Sequence, residues 1–344
     1  MKLSNMAGHY SPLMASLLPK YLDMRCFAVE WTGRRQLIQA ILAQDIDLLF
    51  FTGSASVGRT LYETVSHRMI PVLLELGGKN MAIVDCSTGV DCVNLDLAAK
   101  RIVWGKFVNA GQTCIAPDFV ICVDGGKHER TRALMDAICR HIRSQFGSSP
   151  QEQLQTDSLC RLISENATRR CENLINQHRA DVVMGGQVDV QQRFVAPTVI
   201  DATKIPLDPT LMTEEIFAPI LPVCSAASVQ DAIDIANTRQ TPLALYVFSK
   251  HRDFQNACLH GIRSGGACVN DTLVHFANSH VPFGGFRTSG IGHYHGKYSF
   301  EAFTHPRGTV VSSSLSCCDL PIRYMPYGAG TDFLIGALNF WNSI

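Results

Sequence analysis

Short apolar runs alternate with amphipathic stretches along most of this chain, and that rhythm restricts the fold more than any other feature. Asp47-Leu-Leu-Phe-Phe-Thr52 reads as a buried strand, residues 57–67 as a helix, and Val72-Leu-Leu-Glu75 as the next strand. Strands joined by a helical crossover pair in parallel, with helices laid over the sheet. The earlier residues follow suit: a helix from Ser11 ending near Pro19, a short strand Phe27–Glu30, and a helix Arg35–Leu42. A second set continues the pattern. Strands are predicted at Met81–Val84, Phe119–Val123, Asp181–Met184, Phe194–Ile200, Leu243–Phe248 and Gly266–Val269. Helices are predicted at Leu95–Val108, His128–Phe146, Ala167–His178, Val229–Thr238 and Asp253–Gly261. Gly147-Ser-Ser-Pro150 reads as a surface turn. The expected fold class is α/β.

Within this frame, Lys106-Phe-Val-Asn-Ala-Gly-Gln-Thr-Cys114-Ile-Ala-Pro-Asp118 places a cysteine where a helix gives way to irregular backbone. A thiol held there, with backbone N–H groups beside it, has the setting of a nucleophile whose pKa those donors lower. A cysteine drawn at random from the thirteen is ordinarily a small buried hydrophobe. Neighbouring motifs shift the balance for Cys114.

Three other motifs accompany it in order: Phe51-Thr-Gly53-Ser54-Ala-Ser-Val-Gly58, Leu74-Glu75-Leu76-Gly77-Gly78-Lys79, and Glu214-Glu215-Ile-Phe217-Ala-Pro219. With Gly111-Gln-Thr-Cys114 they resemble the aldehyde dehydrogenase superfamily. Ile102-Val-Trp104-Gly-Lys-Phe107, Leu243–Phe248, Pro282-Phe-Gly-Gly285 and His295-Gly-Lys-Tyr-Ser-Phe300 are similar to its class 3, fatty aldehyde dehydrogenase-like branch. The likeness runs from Lys2 to about Tyr327. It implies a Rossmann-like cofactor domain over residues 1–76, a catalytic domain over 77–286, and a C-terminal return and oligomerisation segment over 287–344.

The same resemblance assigns roles. Cys114 becomes the nucleophile, and Glu75 and Glu215 become candidate bases. Lys2, Gly53, Ser54, Gly58, Leu76, Glu215 and Phe217 become the frame for NAD or NADP, and Phe283 lines the mouth of the site. Read from the residues alone, Gly53–Gly58 is a strand-to-helix turn whose free N–H groups suit a phosphate, though it is not a GxGxxG fingerprint. Glu75 alone would be a carboxylate capping a turn. The family's glutamate after Lys2 is Asn5 here, which removes a group that repels a 2′-phosphate and leaves NADP less disfavoured. The usual glycine after Phe217 is Ala218. His293 and His295 have no carboxylate or cysteine at ligand spacing and read as packing residues, so no metal is expected.

The family carries a stretch upstream of the Lys2 motif, with the first Rossmann strands and an asparagine of the oxyanion hole. On that reading the chain is a truncated member with impaired turnover, or a catalytically inactive paralogue that pairs with full-length subunits. Arg307-Gly-Thr-Val-Val-Ser-Ser-Ser314 is β-branched and poor in charge, so as an exposed edge it invites pairing. In the family a strand here joins a neighbouring subunit, which implies a dimer. Thirty basic residues balance thirty acidic ones, which argues against a nucleic-acid partner. No apolar run reaches membrane-spanning length, the nearest being Phe333–Trp341. Thirteen cysteines without zinc-type spacing or a secretory leader suit a reducing, cytoplasmic setting.

Overall fold

A computed structural model describes residues 1–32, 35–87, 92–204, 209–319, 324–326 and 328–341. The end of the family likeness at Tyr327 lies outside them. The chain forms two compact units, Met1–Phe303 and Thr304–Ile344.

The first unit is α/β. Its strands are β1 (Leu49–Gly53), β2 (Val72–Leu76), β3 (Met81–Asp85), β4 (Phe119–Val123), β5 (Val182–Met184), β6 (Val188–Asp189), β7 (Phe194–Val195), β8 (Thr198–Asp201), β9 (Ile220–Ala226), β10 (Ala244–Phe248), β11 (Gly266–Val269) and β12 (Gly290–Ile291). Seven form one sheet in the order β11-β10-β3-β4-β9-β8-β5, and β1-β2-β12 form a smaller one. Every neighbouring pair in the large sheet is parallel except β5 with β8. Covering helices explain the composition of its centre. All five residues of β3, β4 and β10 are buried, as expected for parallel strands sandwiched on both faces.

Polar starts set the helix boundaries. Asn94 accepts from Leu97 N–H, Ser164 from Ala167 N–H and Ser228 from Asp231 N–H, each satisfying a donor of the first helical turn. Two predicted limits moved. The first helix runs through Pro19 to Tyr21, because a proline in the last turn removes only one intrahelical bond. Residues Phe27–Glu30 form only an isolated bridge between Lys2 and Glu30, not a strand. Among the elements absent from the expectation are two that a proline concealed. Strand β9 is interrupted in sequence by Pro222, which reads as a breaker, and helix Pro150–Gln155 begins inside the predicted turn, with Ser149 as its cap. Pro197 divides the predicted strand Phe194–Ile200 into β7 and β8.

The second unit contains a short 3-10 turn, Ser316–Cys318, and helix Ala329–Trp341. Residues 307–314, expected as a strand, have irregular backbone, and Val310 and Val311 are each 91% exposed. Among the described residues no helix is long and apolar enough to cross a membrane.

Candidate active site

The helix Leu95–Phe107 ends on an abrupt change of backbone. Asn109, Ala110 and Gly111 follow with φ of 52°, 52° and 73°, all left-handed. Such residues cost free energy individually and persist where the surroundings fix them. Asn109 donates to the Gln112 carbonyl, and Gln112 donates to the carbonyls of Asn109 and Arg161 while accepting from Ile163 N–H. Gly111 also passes close to a neighbouring loop: a Cβ there would stand 2.4 Å from the Ala218 carbonyl oxygen.

This turn delivers Cys114 half-buried at the N-terminal edge of the large sheet. Three consecutive carbonyls are then fixed from the sheet side. Asn80 donates to Cys114 O at 2.7 Å and Ala116 O at 3.1 Å, and the Tyr246 hydroxyl donates to Ile115 O at 2.6 Å. Because a trans peptide points its C=O and N–H in opposite directions, anchoring the Cys114 carbonyl aims the Ile115 N–H the other way. That N–H and the N–H of Cys114 itself face the thiol.

Glu75 and Glu215 converge on the same thiol. Burial raises the Cys114 pKa to about 11, and the charges of Glu75 and Glu215 add to the rise; the two N–H groups only partly offset them. The expected lowering therefore does not occur in this state of the protein. Desolvation and two nearby anions outweigh two peptide dipoles.

Glu75 sits on β2, 2% exposed, paired across to Gly290 of β12. Burial raises its pKa to about 8. The Gly285 N–H pulls it slightly back, although neither carboxylate oxygen closes a hydrogen bond of normal geometry. Glu215 rests against Gly77, where a Cβ would stand 2.2 Å from its Oε1. Burial, then the Asp118 charge, raise its pKa to about 7 against the pull of the Gly78 N–H, Lys106 and Lys79.

Below the Glu215 loop lies a buried ionic cluster. Lys79 Nζ contacts Asp118 Oδ2 at 2.5 Å and donates to the carbonyls of Leu211 and Glu214. Asp118 accepts from the Ile216 N–H at 3.1 Å and faces Lys106 Nζ at 3.6 Å. Both lysines are fully buried, and burial lowers the pKa of each, Lys106 to about 8. Removing one partner of such a set leaves an uncompensated charge, so the cluster fixes the Glu214–Phe217 backbone in one place. Arg170 completes the clamp by donating to the carbonyls of Glu215 and Ile216.

The expected dinucleotide residues fall at the end of the small sheet. Gly53 and Leu76 are register partners, Ser54 caps the helix Ala55–Ser66, and a Cβ on Gly58 would stand 2.5 Å from Leu76 Cδ2. The exposed first turn of a twelve-residue helix is a setting for a phosphate. Phe217 is 39% exposed at φ 50°. Lys2 pairs through its backbone with Glu30, and its ammonium makes no ion pair among the described residues.

Phe283 is buried in a cluster of rings with Phe276, Tyr294 and His295, the last stacked at 5.1 Å, and His293 packs on Tyr298. Tyr294 faces Glu75 and Cys114: burial and then those two groups raise its pKa to about 12. The sequence reading singled out neither Asn80, Tyr246, Asp118 nor Tyr294 as a site residue. Asn80 follows Lys79 directly, and a tyrosine in a fully buried strand must find a partner for its hydroxyl, so two of them left a trace.

A sequence profile described as "Aldehyde dehydrogenase family" matches residues 26–308, most of the chain. The chain belongs to the aldehyde dehydrogenase family. It is 39% identical over 339 residues to "Aldehyde dehydrogenase family 3 comG" of Dictyostelium discoideum, covering 98% of this chain and 68% of that one. It is 35% identical over 328 residues to "Aldehyde dehydrogenase, dimeric NADP-preferring" of Rattus norvegicus, covering 95% and 68%. The chain thus spans about two thirds of the length of these relatives. The substrate-bound state of Staphylococcus aureus AldH superposes with a TM-score of 0.87 at 33% identity, over 98% of this chain and 70% of that one. A Mycobacterium tuberculosis aldehyde dehydrogenase complexed with NAD+ superposes at 0.75 with 27% identity, over 90% and 64%. The α/β fold and the class 3 likeness expected from the sequence hold, and these aldehyde dehydrogenase relatives are oxidoreductases of NAD or NADP.

Proposed function

We propose that this chain oxidises aldehydes to carboxylic acids with NAD or NADP, through a thioester on Cys114. The observation that supports this most is the meeting of Cys114, Glu75 and Glu215, contributed by three separate loops and strands, at one electrostatically coupled place. Glu75 takes the proton of the Cys114 thiol and passes it to solvent, the sulfur attacks the aldehyde carbonyl, and the oxygen that gains the charge is met by the fixed N–H groups of this turn. The dinucleotide, when bound, supplies the acceptor for the two electrons and the hydrogen that leave the aldehyde carbon. Water then attacks the thioester while Glu75 takes its proton. The C–S bond breaks and the Cys114 thiolate departs.

Gly53, Ser54, Gly58 and Leu76 would hold the dinucleotide phosphates, and Glu215 and Phe217 its nicotinamide side. Close packing at Gly58 and an exposed helix start fit that use. Within this reading residues 1–76 form the cofactor half and 77–286 the catalytic half. The exposed ring of Phe276, packed on Phe283, supports a medium- or long-chain aliphatic or aromatic aldehyde. Segment 307–314 is assigned to pairing with a second copy or a longer relative, and the buried thiols, such as Cys122 and Cys224, to a reducing, cytoplasmic setting. Glu75 and Cys114 standing together favours the enzyme over an inactive pairing subunit. The deciding assay follows reduced dinucleotide formation with a C6–C16 aldehyde series, beside hydrolysis of an aryl ester. Absence of both in a folded protein would leave the pairing role.

A further inference from the structure

Two ammonium groups share one carboxylate in the cluster below the Glu215 loop. Asp118 meets Lys79 Nζ at 2.5 Å through Oδ2 and Lys106 Nζ at 3.6 Å through Oδ1. Among the described residues neither lysine has a second ion pair. The two are nevertheless employed differently. An ammonium carries three donors, and Lys79 gives one each to Asp118, the Leu211 carbonyl and the Glu214 carbonyl. Lys106 Nζ is equally buried, yet it donates to no acceptor.

Burying an ammonium without hydrogen bonds is costly. An apolar side chain of similar length would fill the last turn of helix Leu95–Phe107 without that cost. The charge of Lys106 therefore points to electrostatics rather than packing.

Glu215 is the group within its reach. Asp118 Oδ1, the oxygen that faces Lys106, also accepts from Ile216 N–H at 3.1 Å, and Lys79 holds the Glu214 carbonyl at 2.8 Å. The peptide groups on both sides of Glu215 are thus tied to the cluster, while its carboxylate lies against Gly77, just ahead of Lys79. Glu215 is half-buried and makes no ion pair of its own among the described residues.

Other charged and titratable groups face the same place. Burial and then Asp118 push the Glu215 pKa up, and Lys106 draws it down more than Lys79 does. The Cys114 thiol faces Glu215, Cys171 of helix Glu165–Gln177 faces Lys106, and Arg239 faces Lys79. The Arg170 guanidinium is engaged by the carbonyls of Glu215 and Ile216. Lys106, with a pKa of about 8, stays largely charged at neutral pH.

We infer that Lys106 is a positioning residue whose ammonium keeps Glu215 a carboxylate, and so an acceptor for hydroxyl groups of a bound dinucleotide. This rests on the assignment of Glu215 to the nicotinamide side. An ionised carboxylate accepts through both oxygens, whereas a protonated one gives up part of that capacity.

The test reads Glu215 directly. Carbon-13 NMR of the full chain, labelled at the glutamate carboxyls and free of dinucleotide, follows the signal that disappears in Glu215→Gln. Its midpoint is expected near pH 7, the value to which burial and Asp118 raise the group. In Lys106→Met the midpoint should rise to about pH 8, the shift expected when one nearby opposite charge is removed. Lys106→Arg keeps the charge and should keep the midpoint near that of the unaltered chain, which a purely structural role would not require. Where Lys106→Met does not fold, Lys106→Gln removes the charge and carries the same expectation. Fluorescence titration with NAD at pH 7 should then show affinity about fivefold weaker in Lys106→Met, as the ionised fraction of Glu215 falls from roughly a half to a tenth. An unchanged midpoint in the neutral variants, or an equal rise in Lys106→Arg, overturns the inference. A midpoint that rises while no dinucleotide binds even the unaltered chain supports the role of Lys106 and overturns the dinucleotide assignment of Glu215 instead.

Discussion

The seven-stranded and the three-stranded sheets of the first unit are built to different standards. Around the large sheet, β3, β4 and β10 bury every residue, and dozens of side chains join one continuous core. Around the small sheet the buried apolar cluster is Leu42, Leu61, Val65 and Ile70. Helix Tyr10–Tyr21 buries only Ser11, and β1 leaves Phe50, Thr52 and Gly53 exposed. Cys114 and the Glu215 loop thus stand on rigid ground, whereas Gly53, Ser54 and Gly58, assigned to the dinucleotide phosphates, stand on a yielding frame. Local opening free energy follows buried contacts, so the small-sheet region should open first. Changes on the firm side and at Glu75, in the buried part of β2, should therefore act on the chemical step, and changes at the exposed end of β1 and the helix start after it on cofactor affinity.

The largest effect belongs to Cys114→Ser. Both dehydrogenase and esterase rates should fall by at least ~10⁴-fold, as when other covalent nucleophiles are removed, while thermal stability stays within about a degree or two. Retained esterase activity would mean another thiol carries the reaction.

Glu75→Gln comes next and separates the two carboxylates. Loss of the base should cost ~10²–10⁴-fold in thioester hydrolysis and remove an activity rise centred near pH 8, the pKa to which burial raises Glu75. Stability should change with the opposite tendency. The folded protein keeps the Glu75 proton up to about pH 8, whereas the unfolded chain releases it near the ordinary 4.5. In that window the folded state binds more protons, so this group makes stability decline as pH rises from 4.5 to 8. Glu75→Gln should flatten that decline. An unchanged slope, followed by thermal melts across the range, would place the carboxylate in a polar environment instead.

Gly111→Ala tests how the firm side holds Cys114, the proposed nucleophile. The residue has φ 73°, and a methyl group would meet the Ala218 carbonyl at 2.4 Å, so the cysteine turn and the Glu215 loop must separate. The strain should cost roughly 1–3 kcal/mol. A displacement of about 1 Å at Cys114 should cost ~10²-fold in kcat. Cofactor affinity should change far less. If affinity drops and kcat does not, the division between the two sheets is wrong.

The alternation of β2, β3, β4 and β10 with their helices was legible because apolar runs and capping residues agree locally with the final fold. Strand β9 was not, since Pro222 argues against a strand and only tertiary pairing between β4 and β8 overrides it. Cys114, Glu75 and Glu215 were legible as words of a known pattern. Their electrostatics were not. The rise of the Cys114 pKa comes from burial and two carboxylates 39 and 101 positions away in sequence, distances only the fold cancels. Asn80, Asp118 and Tyr246 act by holding backbone carbonyls, amides and loops, which no single residue type announces.

Ser54→Ala should give the smallest effect and is the most direct probe of the thin side. Ser54 caps the helix Ala55–Ser66, but its hydroxyl accepts from Val57 N–H at 3.5 Å and also meets Ser56 Oγ at 3.2 Å, so the cap is a long one. Loss of an N-cap ordinarily costs ~0.5–2 kcal/mol, and the long bond places this case near the lower bound. The cost falls on a helix whose packing face contributes only Gly58, Leu61 and Val65 to the interior, so its first turn should fray before the unit unfolds. A frayed first turn loses the aligned N–H groups that would meet a phosphate. NAD(P) affinity should weaken about two- to fivefold, the equivalent of that lower bound, with kcat at saturating dinucleotide unchanged. Fluorescence titration of the dinucleotide beside steady-state kinetics reads both. A loss of kcat with affinity preserved would place Ser54 in the chemical step and remove the distinction between the yielding sheet and the rigid one.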